Sequence, residues 1–431
     1  MRFIITALLL LATSVPYAQP DGQITLVHAG TLLAVPGEAV SGEQTVVIRG
    51  NRIERVAEGF LDPAQFDGQA TTIDLSDKFV LPGLMDMHVH LLFELNRDTR
   101  TEALTMTTSM ETLRGARFAR LTLAAGFTTV RDLGGHPEAI YALRKAVQEG
   151  WVPGPRIIAA GSAIAATGGH GDVDGYKSEL LDLWTPETIC DGPFDCRRAT
   201  RYAVKHGADW IKITATGGVL SDTPTGTDQQ MTDDELREIV DTAHGLGVKV
   251  AAHAHGTDGI NAALRAGVDS IDHGSFLNDE SVRLFIESGA YLVPTLLPGY
   301  KVPAQMEGNP FFTDAIKKKA IAAGTAARGN FARAVRGGVK IAFGTDSAVT
   351  EHGKNAEEFA YMVENGMTPM QAIRSATVGA ADLVGKTESL GTIEAGKLAD
   401  IIAVDASPLD DISVLEAVTV VIKDGVLEYR R

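Results

Sequence analysis

Cysteine is almost absent: two occur in 431 residues, Cys190 and Cys196, both in the stretch CDGPFDC. So few exclude a disulfide-stapled scaffold, and no second cysteine pair or neighbouring histidine completes a thiolate metal site. In an oxidising compartment the pair can close a short-loop disulfide; two free thiols are the alternative. Positive charge is scarce as well, with 39 Lys and Arg against 55 Asp and Glu and a formal net charge of -16. Phosphate backbones are bound by clustered Lys and Arg, so no nucleic-acid partner is expected. Aromatic residues make up 6% and do not define the shape of a pocket. Low-complexity tracts and charge runs are missing. Beyond the N-terminus there is no apolar run long enough to suggest a membrane span.

What is present is a globular composition, 45% hydrophobic and 22% charged, enough for one large core or two unequal ones. Met1-Arg2 precedes the apolar run FIITALLLLATSV and then Pro16-Tyr17-Ala18. A charged start, a short apolar core and a small residue at a cut site predict a signal peptide over 1–18. The run is too short for a comfortable membrane anchor, so the protein is expected to be exported, periplasmic or secreted.

Residues 19–77 alternate short β-rich runs with turns, as in QITLVHAGTLLAV and QTVVIRGNRIERVAE. The same texture returns over 386–431, in LADIIAVDAS and AVTVVIKDGVLEYRR. Together they predict a small β-sandwich domain built from both chain ends. Between them, over 78–385, strand-like runs alternate with helical ones. The runs are 79–90, 127–135, 156–164, 210–218, 249–256, 270–276, 291–297 and 340–348, with amphipathic stretches at 107–126, 232–247 and 311–337. Eight β-runs with helical crossovers predict an α/β fold of the (β/α)8, TIM-like barrel type. Segment 165–200 reads as a long irregular insertion of the kind that covers active sites.

Several of these strands end in polar residues. In GLMDMHVH, alternation puts Asp86, His88 and His90 on one side, where two imidazoles can share a cation. Taken alone, the two histidines could equally be a hydrogen-bonded core pair. Four other strands repeat the pattern: Lys212 in WIKITATGG, His253 and His255 in KVAAHAHG, His273 in SIDHGS and Asp346 in KIAFGTDS. An unpaired ammonium among the apolar neighbours of Lys212 would be costly. Five strands converging on one face point to a metal site.

With PGLMDMHVH, the lysine of KIT, HAHG, DHGS, FGTDS and the closing GTIEAGKLADIIAVD, the sequence resembles the amidohydrolase superfamily over nearly its whole length. The likeness is strongest to the branch of metal-dependent Xaa-Pro-type dipeptidases that includes ochratoxin-hydrolysing amidohydrolases, suggested by ATGGHGD, CDGPFDC and AAHAHG. The resemblance implies two divalent metal ions, zinc foremost, with His88, His90 and Asp346 on one and His253 and His273 on the other. The separation 273 − 253 = 20 matches that branch, which assigns His253 to the metal and turns His255 to the substrate. Lys212 is implied to bridge both ions as an N6-carboxylated lysine. Burial and neighbouring dications would favour its neutral amine, which can take up carbon dioxide. The alternative for Lys212 is a salt bridge to a barrel carboxylate.

The resemblance further implies hydrolysis of amide bonds in dipeptides or N-acyl amino acids, ochratoxin A among the candidates, by a hydroxide bridging the metals. Asp346 would move the proton from water to the leaving nitrogen, and His170 or His255 would help polarise the carbonyl. His170, in GGHGD, could also be a solvent-facing loop histidine. Asp86 either supports the first-strand ligands or makes a simple structural hydrogen bond. Thr214, Thr216 and Ser275 line a pocket or finish strands, and Asp132 could organise the site. His28, His136, His206, His244 and His352 read as ordinary residues. A dipeptidase needs a cation for the substrate carboxylate, and Arg131 and Lys177 are the candidates. The partner is a small-molecule amide or dipeptide, and a homo-oligomer is expected. A cyclic-amide hydrolase or deaminase is the rival reading, although deaminases often lack the strand lysine. A non-enzymatic exported metal-binding protein is the third.

Overall fold

The structure is a computed structural model that describes residues 22–66, 70–222 and 226–431. The expected signal peptide, 1–18, lies outside the described residues.

Both chain ends enter one seven-stranded sheet. Its strands are β1 (Ile24–Leu32), β2 (Ser41–Arg49), β3 (Arg52–Glu58), β4 (Ala70–Pro82), β13 (Ile401–Val404), β14 (Val420–Lys423) and β15 (Val426–Arg430), in the order β15-β14-β13-β4-β1-β2-β3. Runs of Val and Ile give each strand a face to bury, and Val27, Val46, Ile48, Val80, Ile401 and Ile422 pack together. Asp424-Gly425, with φ 49° and 79°, forms the two-residue turn that joins β14 to β15. β4 pairs in parallel with β1 and antiparallel with β13, so it stitches the N-terminal part to the C-terminal part.

β4 also corrects the sequence reading. It runs from Ala70 to Pro82, so the expected boundary at 77/78 falls inside a strand. The segment 79–90 is two strands, because Gly83 separates β4 from β5 (Leu84–Val89). A side chain at Gly83 would strike Thr128, so the chain passes that point only as glycine.

The other strands are parallel. β5, β6 (Phe127–Asp132) and β7 (Arg156–Ala159) form a three-stranded sheet. β8 (Trp210–Thr214), β9 (Lys249–Ala254), β10 (Ser270–His273), β11 (Tyr291–Val293) and β12 (Lys340–Ile341) form a five-stranded one. Isolated parallel bridges, Ile164 to Ile213 and Val89 to Ser347, connect segments of the two. The expected helical stretches are the helices Thr108–Ala124, Asp233–Gly245 and Asp314–Arg336. Among the described residues no helix is long and apolar enough to cross a membrane.

Segment 165–200 is less irregular than its sequence suggests. It holds a helix at Ser178–Trp184 and the start of another, Pro193–His206. The second buries only small side chains, Cys196, Ala199, Thr200 and Ala203, which give a weak periodic signal. Pro193 in its first turn and Gly207 at its end, with φ 110°, are the start and stop marks. Cys190 and Cys196 are joined in a disulfide at its N-terminus.

Candidate metal centre

β5 is buried along its whole length, and every residue of it is enclosed. Asp86 accepts hydrogen bonds from His88 N at 3.1 Å, Thr345 Oγ1 at 2.6 Å and Asn355 Nδ2 at 2.8 Å. It thereby ties the end of β5 to the turn after β12, and through His88 N it holds the backbone of a first-strand ligand. Burial raises its carboxyl to about 6, although Thr345 and Asn355 pull the other way. That turn brings in Asp346, whose backbone N donates to His88 O at 2.8 Å. The Asp346 carboxylate lies 3.4 Å from His88 Nε2 and 3.2 Å from His90 Nε2. One ligand atom from each of the three falls within 4.8 Å of the others.

His253, His255 and His273 form a second such group, again within 4.8 Å. The two groups are neighbours, since the rings of His88 and His273 are 5.0 Å apart between centroids. Lys212 is buried beside them and donates from Nζ to Asp272 Oδ2 at 2.6 Å. All six residues expected from the sequence as metal ligands are therefore gathered, and His255 with them.

Around the groups, neighbouring polar atoms fix the rings. His90 Nδ1 faces Gly134 O at 2.9 Å, His255 Nδ1 faces Ser275 Oγ at 2.8 Å, and His273 Nδ1 faces Thr295 Oγ1 at 2.7 Å. Each bond occupies one ring nitrogen and leaves the other for the centre, the usual outer support of metal-binding histidines. Two buried nitrogens, His253 Nε2 and His88 Nδ1, have no hydrogen-bond partner. His88 Nδ1 lies 3.4 Å from Asp272 Oδ2, too poorly placed to count as one. The orphaned His253 Nε2, with His88 Nε2 and His90 Nε2 converging on the Asp346 carboxylate, is a donor set that suits divalent cations such as zinc. The backbone is strained here too: His273, Thr295 and Asp346 have φ of 73°, 46° and 56° without being glycine.

The amidohydrolase family pattern matches residues 79–427. The chain belongs to the amidohydrolase family. Ochratoxinase of Aspergillus niger is 31% identical over 428 residues, covering 94% of this chain and 87% of the relative. A Xaa-Pro dipeptidase, solved with methionine bound in its active site, superposes with a TM-score of 0.90 at 44% identity, over 95% of this chain and all of that one. A prolidase complexed with N-methylphosphonate-L-proline gives 0.84 at 32% identity, over 95% and 100%. This amidohydrolase is accordingly a hydrolase with ochratoxinase-like and prolidase-like relatives.

Its electrostatics favour neutral imidazoles at the centre except at His90, where burial opposes the charge but the bond to Asp346 outweighs it and raises the ring above the ordinary value. Burial lowers His88 and His170 to about 4 and His255 to about 3, and it holds His253 and His273 well below the ordinary value, with Lys212 adding repulsion at each. Burial opposes the ionised form of Asp346 as well, but the bond to His90 and the neighbouring histidines keep its carboxyl far below the usual range. Burial lowers Lys212, while Asp272 offsets part of that.

His170 is not a solvent-facing loop residue. Its backbone N donates to Gln230 Oε1 at 2.9 Å, its Nδ1 is hydrogen-bonded to Ser221 Oγ, and its ring lies 4.3 Å from that of His253. A side chain on Gly218 would collide with the imidazole, so the ring packs against bare backbone. It borders a cavity of about 350 Å³ together with the two histidine groups, Lys212 and Asp346. That is the size of a small-molecule site. Away from the centre the cavity is walled by Phe93, Val302, Phe311 and the helix Asp314–Arg336, at Ala320, Ala323 and Gly324.

Arg131 is a correction. It is fully buried and holds Met87 O at 2.7 Å and Asp272 Oδ1 at 3.2 Å, with its guanidinium over the Trp210 ring. It cannot reach a substrate carboxylate. Lys177 borders neither the cavity nor its entrance. Thr214 and Ser275 line the cavity, whereas Thr216 accepts from His255 N at 3.0 Å. Asp132 accepts from Leu91 N at 2.6 Å and from Gly134 N at 3.4 Å, bracing the turn whose carbonyl holds His90. His28, His136, His206, His244 and His352 lie outside both histidine groups, as expected.

Sequence reasoning missed Asp272, the shared partner of Lys212 and Arg131. Those cations hold its carboxyl well below the usual range although burial pushes the other way. It stood in SIDHGS beside His273, where strict alternation would send one of the two outward. The positive φ of His273 ends the strand and breaks that alternation. Thr295 and Ser221, which fix His273 and His170, carried no sequence signal beyond a hydroxyl.

Proposed function

We propose that this chain is a binuclear metal-dependent hydrolase that cleaves the amide bond of dipeptides or N-acyl amino acids, with ochratoxin A among the candidate substrates. The observation that carries the reading is the pairing of two histidine groups beside a buried lysine, on the wall of one cavity of ligand size. His88, His90 and Asp346 would hold one ion and His253 and His273 the other, with Lys212 between them as a carbamate. Such ions, when bound, acidify water and polarise a carbonyl. Asp346 takes the proton of the attacking water and delivers it to the leaving nitrogen. His170 and His255 face the same cavity and steady the carbonyl oxygen. The apolar wall opposite accepts an uncharged side chain.

The activities of the dipeptidase, prolidase and ochratoxinase relatives support the amide substrate. The bridges at Ile164 and Val89 support reading the eight parallel strands as a closed (β/α)8 barrel, with the two chain ends as a separate small β-domain of sandwich type. The Cys190–Cys196 disulfide supports an oxidising, exported location.

The experiment is hydrolysis of a library of dipeptides and N-acyl amino acids, ochratoxin A included, on enzyme of measured metal content. Turnover should depend on metal, and absence of amide cleavage by fully loaded enzyme overturns the reading. Lys212→Ala should lower bound metal and abolish cleavage, with partial recovery on adding a short-chain carboxylic acid. Full activity in that variant contradicts the bridging role.

A further inference from the structure

Dipeptides and N-acyl amino acids share one feature besides the amide: a carboxylate on the carbon next to the leaving nitrogen. Taking it out of water without a cation or several donors is costly. The enclosed cavity offers little for it, because the one Lys or Arg on its wall among the described residues is Lys212, committed to Asp272. Arg131 is sealed beneath the strands. Lys319 is close by and its charge is felt at His170 and His255, but it does not line the cavity, and its Nζ donates to Gly218 O at 2.8 Å and to Ser221 O at 2.6 Å.

The cavity adjoins an outer chamber of about 270 Å³, and the two share Thr99, His170, Leu220 and Phe311. Arg100 is the one Lys or Arg lining that chamber among the described residues. Its Nη2 donates to Asp222 Oδ2 at 3.2 Å, while Nε and Nη1 have no protein acceptor among the described residues. The guanidinium sits 5.5 Å from the centroid of the Phe311 ring, and Tyr176 Oη donates to the Arg100 carbonyl at 3.0 Å. A third of the side chain is exposed, at 32%. This is a planar fork with donors to spare: Nε and Nη1 lie on opposite edges, and a carboxylate makes two contacts by pairing one of them with the remaining hydrogen of Nη2.

We infer that Arg100 receives the substrate's α-carboxylate in the outer chamber, past His170, so that the enzyme selects amides whose C-terminal side is a free amino acid. The inference rests on the amide-hydrolase reading and adds the group that sets its substrate class. Asp174 and Asp222 line or border the same chamber. They disfavour an anion anywhere but at the fork, and they define the rival occupant, the ammonium of a dipeptide.

The test compares a dipeptide, its C-terminal carboxamide and its N-acetyl form on metal-loaded enzyme. Wild type should prefer the free acid over the carboxamide by about ten- to a hundredfold in kcat/KM, expressed mainly in KM. Arg100→Gln should bring that ratio close to one, and Arg100→Lys should keep part of it. An unchanged ratio in Arg100→Gln overturns the proposal. So does a penalty that falls on the N-acetyl form instead, which assigns the chamber to an ammonium. A second measurement needs no turnover: methionine, but not methioninamide, should raise the melting temperature of wild type, and Arg100→Gln should lose the shift. If that holds while no amide is cleaved, the hydrolase reading fails and the carboxylate site stands. Equal shifts from both compounds remove the site.

Discussion

At the scale of single residues, the chemistry depends on charges held without water. Asp272 is the clearest case: fully buried, it sits between Lys212 Nζ at 2.6 Å and Arg131 Nη2 at 3.2 Å. With Lys212 uncarboxylated, Asp272→Asn would leave two buried cations with one neutral partner, and breaking such a group costs about 3–5 kcal/mol. The variant should unfold at lower denaturant and bind less metal, because Lys212 and His88 both lean on that carboxylate. A wild-type midpoint with full metal content would show that the carboxylate matters to neither. Asp272 also marks where sequence legibility stopped. His88, His90, Lys212, His253, His273 and Asp346 could be found because each is a polar residue late in an apolar run, an anomaly visible in one dimension. Asp272 is just as anomalous but adjacent to His273, and only the left-handed backbone at His273 lets both serve the centre. Arg131 was misjudged for the opposite reason, since nothing in FTTVRD says that its guanidinium turns inward over Trp210.

At the scale of elements, the site depends on how its loops are pinned. The loop that carries His170 is fixed at its start to the disulfide loop: Cys190 N donates to Ala165 O at 2.9 Å, and Asp191 Oδ2 accepts from Thr167 Oγ1 at 2.7 Å. At its far end His170 meets Ser221 and the Gln230 side chain. Opening the Cys190–Cys196 link frees the turn before the helix Pro193–His206 that presents Asp191, so the cost reaches the His170 loop. In the chain-entropy view, closing so short a loop contributes roughly 2–3 kcal/mol. The double variant Cys190→Ser/Cys196→Ser should lose about that much by denaturant titration and should become more sensitive to proteolysis between 165 and 200. Equal stability with and without the link would mean the helix Pro193–His206 holds the turn unaided. The strands themselves were legible because apolar runs recur between helical stretches, although β11 and β12 are only three and two residues long. The two helices of 165–200 were not: Pro193–His206 buries only small side chains, and Ser178–Trp184 is seven residues long with no buried face to set a period.

At the scale of the whole molecule, the parallel strands and the seven-stranded sheet are tied by more than the continuous chain through Gly83. Arg156, at the start of β7, donates to Asp400 Oδ2 at 2.9 Å, to Asp424 Oδ1 at 2.6 Å and to Thr129 Oγ1 at 2.9 Å. Asp400 in turn accepts from Asp424 N at 2.9 Å, and its backbone carbonyl accepts from Gly83 N, also at 2.9 Å. One residue thus joins three places far apart in sequence, its carboxylate holding the turn before β15 and the start of β7 and its backbone carbonyl the break between β4 and β5. Burial opposes the charge on Arg156, but the two aspartates more than offset it and raise its affinity for the proton. Asp400→Asn keeps the shape and removes that charge, leaving a largely enclosed guanidinium with weaker acceptors. A hydrogen bond to a charged group is worth about 1.5–3 kcal/mol, so the variant should melt earlier by a few degrees. If the network couples the two parts, calorimetry of the wild type shows one transition, and that of Asp400→Asn separates the sheet from the parallel strands or shifts the single peak downward. A variant that melts in one peak at the wild-type temperature would show that β4, shared across the join, carries the coupling alone.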